Sequence, residues 1–129
     1  MARKQTRTSF DRTQGLGSAR EGVGHWWMQR TTALALIPLT LWLTASLIAR
    51  ARDDYGAFIL WLRSQVSSVL MVLLLIALFY HMALGLQMVV EDYVHADRIK
   101  IPTVVVIHHA SFALAVTGII TTLRIAFGR

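Results

Sequence analysis

Three long apolar runs separated by short charged stretches dominate the pattern of this chain. The first occupies about residues 26–49 and is rich in leucine, from Leu34 to Leu47. The second is amphipathic from Phe58 to Gln65, then apolar in the main from Val66 to Val90, and stops at Glu91 and Asp92. The third follows Pro102 and occupies about residues 103–127. At about 1.5 Å of rise per helical residue, each run crosses a hydrocarbon layer about 30 Å thick. The pattern predicts an all-α integral membrane protein with three transmembrane helices, over about residues 26–49, 58–92 and 103–127. Pro38, near the middle of the first run, predicts a mild kink rather than a break. Pro102 suits the first turn of the third helix.

Composition sharpens this picture. Of the 129 residues, 55% are apolar and only 16% are charged, against about 25% charged in soluble domains. The three runs leave too little chain for a second core, which excludes a water-soluble enzyme. The absence of cysteine removes disulfides, thiolate metal sites and a cysteine nucleophile. A net charge of +6 invites a nucleic-acid reading, but five of the thirteen basic residues lie within the first twenty positions, ahead of an apolar span. That placement is a topology signal, and no nucleic-acid partner is expected.

Residues 1–25 combine Arg3, Lys4, Arg7, Arg12 and Arg20 with Gly15, Gly17, Gly22 and Gly24, and lack a sustained apolar period. They read as a flexible, basic, water-exposed tail. The apolar run behind them is too long and starts too late for a secretory signal. Counting the flanking basic residues, Arg98 and Lys100 in the second loop join the tail on one side, seven in all. Arg50, Arg52, Arg63, Arg124 and Arg129 make five on the other. This favours the N-terminus inside.

Polar residues within apolar spans carry the chemical information, because they cost energy there. At 100° per residue, Ser67, Leu74, Ala77, His81, Gly85, Met88 and Asp92 fall on one stripe of the second span. Two readings of His81 are open. It can ligate a flat, bulky group such as a haem, with Gly85 clearing space beside the imidazole. Alternatively it is a buried histidine bonded to a carbonyl or hydroxyl of a neighbouring helix, with Gly85 permitting close packing. Asp92 and Tyr93 sit where the second span meets water, as a donor and acid for a carbonyl ligand or as an ordinary interfacial terminus. Arg30, behind His25, Trp26 and Trp27, is either an anion clamp or a side chain snorkelling to lipid head groups. Asp54 and Tyr55 repeat the Asp-Tyr pair on the opposite side and are read as a decoy. His108 and His109 rank below His81, having no aligned glycine or interfacial acid.

Taken together, Arg30 and the segment HMALGLQMVVEDY at residues 81–93, with Asp92-Tyr93 beginning eleven residues beyond His81, resemble the smaller hydrophobic membrane-anchor protein of succinate dehydrogenase, respiratory complex II. The segment GSAREGVGHWWMQR at residues 17–30 also looks like the pre-helix segment of alphaproteobacterial members. The resemblance runs from about Gly15 to the C-terminus.

It implies a second three-helix membrane anchor, with a haem b held between the two by one axial histidine from each chain. It also implies an iron-sulfur subunit and a flavoprotein subunit that carry the Fe-S clusters and FAD, with electrons passing from succinate to ubiquinone. On that template His81 is the axial ligand, Arg30 and His25 are haem propionate partners, Tyr93 is a quinone hydrogen-bond donor and Asp92 shapes the site or relays protons. The implied location is a bacterial cytoplasmic membrane, or alternatively the mitochondrial inner membrane. An anchor of a quinol:fumarate reductase and a non-redox membrane assembly protein are the competing functions.

Overall fold

The computed structural model describes the backbone of residues 9–128 and the side chains of residues 22–128. Arg3, Lys4, Arg7 and Arg129, which bear on topology, lie outside the described residues, as do the side chains of Arg12 and Arg20. Four helices follow one another: α1 Ser9–Ala49, α2 Tyr55–Arg63, α3 Gln65–Tyr93 and α4 Asp97–Phe127. Three helical stretches, Gly22–Ala49, Gln65–Tyr93 and Asp97–Phe127, are long and apolar enough to cross a membrane.

The helix ends differ from the expectation in four places. α1 starts at Ser9, so the backbone of residues 9–25 is helical where their composition reads as a flexible tail. Extending an existing helix costs far less than nucleating one, and no proline intervenes before Pro38. The second run is two helices rather than one, because Ser64 leaves helical geometry with ψ 140°. Its hydroxyl accepts from the Ser67 N–H at 3.3 Å, so one residue ends α2 and caps α3. The helix of the third span begins at Asp97, six residues before the expected start. Its first turn is polar, with Asp97 bridged to Lys100 at 3.2 Å, and this carries the helix out of the apolar zone. Pro102 therefore stands inside the helix, beyond the first turn. Pro38 leaves α1 uninterrupted.

α3 is the centre of the molecule. It packs against both α1 and α4, while the backbones of α1 and α4 do not approach each other closely among the described residues. The contact surfaces are built from small and hydroxyl residues: Ala77, Ala83, Ser67 and Ser68 of α3, and Ser111 and Thr122 of α4, are buried beside Leu74 and Leu84. Small side chains let helix backbones approach where no hydrophobic effect drives them together. The hydroxyls are satisfied locally, Ser68 donating to Ser64 O at 3.0 Å and Thr122 to Gly118 O at 2.9 Å. No large side chain among the described residues is fully buried. Long apolar side chains such as Leu34, Ile48 and Phe112 point outward, the arrangement of a protein solvated by lipid and by other helices.

α2 clasps the end where α1 and α3 connect. Asp54 accepts from the Ala57 N–H at 3.0 Å and caps α2. Trp61 lies against Trp42 of α1 with ring centroids 5.9 Å apart, and the Arg50 guanidinium sits 5.0 Å over Trp61. Arg63 donates to the Ile125 carbonyl in the last turn of α4 at 3.1 Å, placing a cation where a helix C-terminus favours one.

Candidate functional site

The antiparallel contact of α1 with α3 assembles the polar residues of the membrane interior. His25, Gln29 and Thr32 recur at spacings of four and three, which places them on one face of α1. That face meets the stripe on α3 that carries His81 and Gly85. Thr32 Oγ1 and His81 Nδ1 are 3.0 Å apart. The Thr32 hydroxyl is also 2.8 Å from the Met28 carbonyl and 3.1 Å from that of Gln29, and both of these can only accept. Its one proton is committed to them, so its lone pair receives a proton from His81 Nδ1. With that proton on Nδ1, a neutral ring has its Nε2 lone pair free, the form that binds metals. His81 is thus bonded to a neighbouring hydroxyl, as the packing alternative requires, yet keeps the nitrogen that the ligand reading requires.

One turn along, Gly85 faces Gln29. A β-carbon built on Gly85 would meet only Gln29 Nε2, at the ordinary contact distance of 3.8 Å. Helix packing therefore does not demand glycine at this position. On this face of α1, two buried polar atoms have no partner among the described residues: His25 Nε2 and Gln29 Oε1. Leaving such atoms unpaired costs about 1–3 kcal/mol each, so they call for a polar partner from outside the described residues. An amide can turn over to present either its oxygen or its NH2 group.

The remaining expected residues stand apart. Arg30 lies 100° around α1 from Gln29 and is exposed, its guanidinium 5.1 Å over the Trp26 ring. It is not brought to His81. Asp92 and Tyr93 close α3 in the open, Tyr93 81% exposed, and neither side chain has a hydrogen-bond partner among the described residues. Eleven helical residues separate Asp92 from His81, about 16 Å along the axis. Burial falls along the stripe from Ser67, Leu74 and Ala77 through half-buried His81 and Gly85 to exposed Met88 and Asp92. The stripe therefore opens toward the Asp92 end. Asp54 is occupied as the α2 cap, which accounts for the first-loop copy of the dipeptide.

Three features escape a reading by sequence spacing. Two are Gln29 and Thr32, although their i+4 and i+7 spacing from His25 is the signal that places them on its face. The third is an apolar groove of about 580 Å³ between α3 and α4, reached by Tyr80, His108, His109 and Phe112. Both histidines bond their own helix there, His108 to Val104 O at 3.0 Å and His109 to Val105 O at 2.8 Å. Among the described residues no group of three or more His, Cys, Asp or Glu could hold a metal ion.

Residues 3–122 match the family of succinate dehydrogenase/fumarate reductase transmembrane subunits. The chain belongs to this family. A succinate dehydrogenase hydrophobic membrane anchor subunit of Rickettsia bellii is 31% identical over 94 residues, which cover 73% of this chain and 75% of that one. Its counterpart in Rickettsia conorii is 27% identical over 92 residues, covering 70% and 73%. A succinate dehydrogenase membrane anchor subunit of Reclinomonas americana is 29% identical over 91 residues, covering 68% and 76%. With three apolar helices and relatives that are membrane anchors, the chain is a multi-pass membrane protein.

Proposed function

We propose that this chain is the hydrophobic membrane anchor of a succinate:ubiquinone oxidoreductase, sharing a haem b with a second anchor and forming part of the quinone-reduction site. The observation that carries the haem half is the Thr32–His81 pair: a mid-membrane imidazole whose Nδ1 is engaged and whose Nε2 is free, beside a glycine that packing does not require. The residues present fit the group. His81 would supply an axial nitrogen, Gly85 would leave room for a ring edge, and His25 and Gln29 would offer polar atoms that otherwise lack partners. Arg30, exposed near the start of the span, would pair with an anionic propionate. A bound haem would add a one-electron redox centre between the anchors.

For the quinone half, Tyr93 donates a hydrogen bond to a quinone carbonyl and Asp92 holds or relays a proton that the reduced oxygen takes up. Both are exposed at the open end of the stripe, where an iron-sulfur subunit bringing electrons from a flavoprotein would dock. With the N-terminus inside, this end faces the cytoplasm of a bacterium; the Rickettsia relatives favour the bacterial cytoplasmic membrane, with the mitochondrial inner membrane as the alternative. The relatives named above are all succinate dehydrogenase subunits, which favours succinate oxidation over fumarate reduction. Purification in mild detergent tests the assignment. We expect iron-sulfur, flavin and second anchor proteins to co-purify, with a low-spin b-type signal in reduced-minus-oxidised spectra that disappears in His81→Leu. Purification of the chain alone, without haem, would return the non-redox reading.

A further inference from the structure

We propose that Thr32 is the positioning residue of the His81 ligand: its hydroxyl fixes the imidazole tautomer, holds the ring plane and tunes the iron that His81 binds. The inference rests on the reading of His81 as a haem ligand and goes beyond it, because it assigns a role to a residue on a different helix.

Two independent features carry it. The first is direction. A threonine in a helix ordinarily turns its hydroxyl back to its own i−4 carbonyl, and Thr40, Thr103, Thr117 and Thr121 bond only within their own helix in this way. Thr32 does the same toward Met28, then uses the remaining lone pair on His81, 49 positions away in the chain. The second is the proton count. With the hydroxyl proton directed to Met28 O and Gln29 O, the bond to His81 runs from Nδ1–H to Oγ1. In a neutral ring, a proton on Nδ1 leaves Nε2 to ligate.

A ligand imidazole whose far N–H is hydrogen-bonded is more basic and holds its orientation. Greater basicity favours the ferric over the ferrous state. Removing the acceptor weakens that preference and frees the ring to rotate. His108 and His109 bond within their own helix, to Val104 O and Val105 O. Among the described histidines, His81 is the one with a hydrogen bond to another helix.

The test uses the assembled complex. Thr32→Val keeps the shape and removes the hydroxyl, Thr32→Ser keeps the hydroxyl, and Thr32→Ala guards against a fault in assembly specific to valine. In Thr32→Val and Thr32→Ala we expect haem to be retained but the ferric/ferrous balance to move toward ferrous by about two- to tenfold, the range expected for one hydrogen bond. Tenfold corresponds to a potential rise of about 59 mV for a one-electron couple. The low-spin EPR g-values should shift in the same variants, and Thr32→Ser should restore both signals. Potential and g-values unchanged from wild type in either hydroxyl-free variant would overturn the role of Thr32. A low-spin spectrum that survives His81→Leu would instead overturn the haem reading itself, so the two failures are distinguishable.

Discussion

Gly118 of α4 faces Leu75 of α3 so closely that a β-carbon built on it would stand 3.1 Å from Leu75 Cδ1 and 3.3 Å from Cδ2. The same construction on Gly85 meets one side-chain nitrogen at 3.8 Å. The two glycines therefore do different things, one admitting a neighbouring helix and the other leaving space. Gly118→Leu should overpack the α3–α4 contact and cost about 1–3 kcal/mol, read as earlier thermal unfolding in detergent. Gly85→Ala should leave unfolding unchanged or slightly delayed, since alanine is the better helix former, while altering the haem spectrum. A normal spectrum in Gly85→Ala would remove Gly85 from the haem site.

Topology is testable with no background, since the chain contains no cysteine. Single cysteines at Ser18, Ser64 and His95 would be the only thiols it carries. Ser64 stands at the α2–α3 junction and His95 in the α3–α4 connection, at opposite ends of α3. An impermeant thiol reagent applied outside should label position 64 and miss positions 18 and 95. Labelling of 18 and 95 with protection of 64 would reverse the orientation and move Tyr93 to the outer face.

The three spans are legible because more than twenty successive, mostly apolar residues admit few alternatives in a chain this short. The break at Ser64 is not, because a serine between Arg63 and Gln65 signals nothing until its hydroxyl is seen to cap the next helix. Pro102 misleads for a related reason. Proline marks a helix start only when no polar turn precedes it, and Asp97 to Lys100 supply such a turn. At the site, His81 stands out through its cost in lipid. Thr32 and Gln29 do not, since their significance is a contact between α1 and α3 that spacing along either helix cannot reveal.

Asp54 provides a control for carboxylates at helix ends. Its side chain caps α2 through the Ala57 N–H. Asp54→Ala should therefore cost about 1 kcal/mol of stability, detectable as a lower unfolding temperature in detergent, with quinone reduction by the intact complex unchanged. Asp92→Asn should show the opposite profile. That carboxylate bonds nothing among the described residues, so its loss should leave the unfolding temperature alone and slow quinone reduction. A changed pH profile would mark proton relay rather than shaping of the site.

Tyr93 gives the sharpest test of the quinone assignment. It is 81% exposed at the end of α3, at the open end of the stripe that begins at buried Ser67. Tyr93→Phe removes one oxygen and keeps the ring, so interfacial anchoring and assembly should survive. Losing a hydrogen bond to a quinone carbonyl costs about 0.5–1.5 kcal/mol, and more if the carbonyl is left buried and unpaired. Succinate-to-quinone activity at sub-saturating quinone should fall several-fold to about a hundredfold, while succinate oxidation by an artificial flavin-level acceptor stays near wild type. Tyr55→Phe makes the same chemical change at another tyrosine that is 81% exposed, at the start of α2 and on the opposite side. It should be silent in both assays. Wild-type quinone kinetics in Tyr93→Phe would make Tyr93 an interfacial anchor only, and the quinone site would then have to be built from residues of the partner proteins.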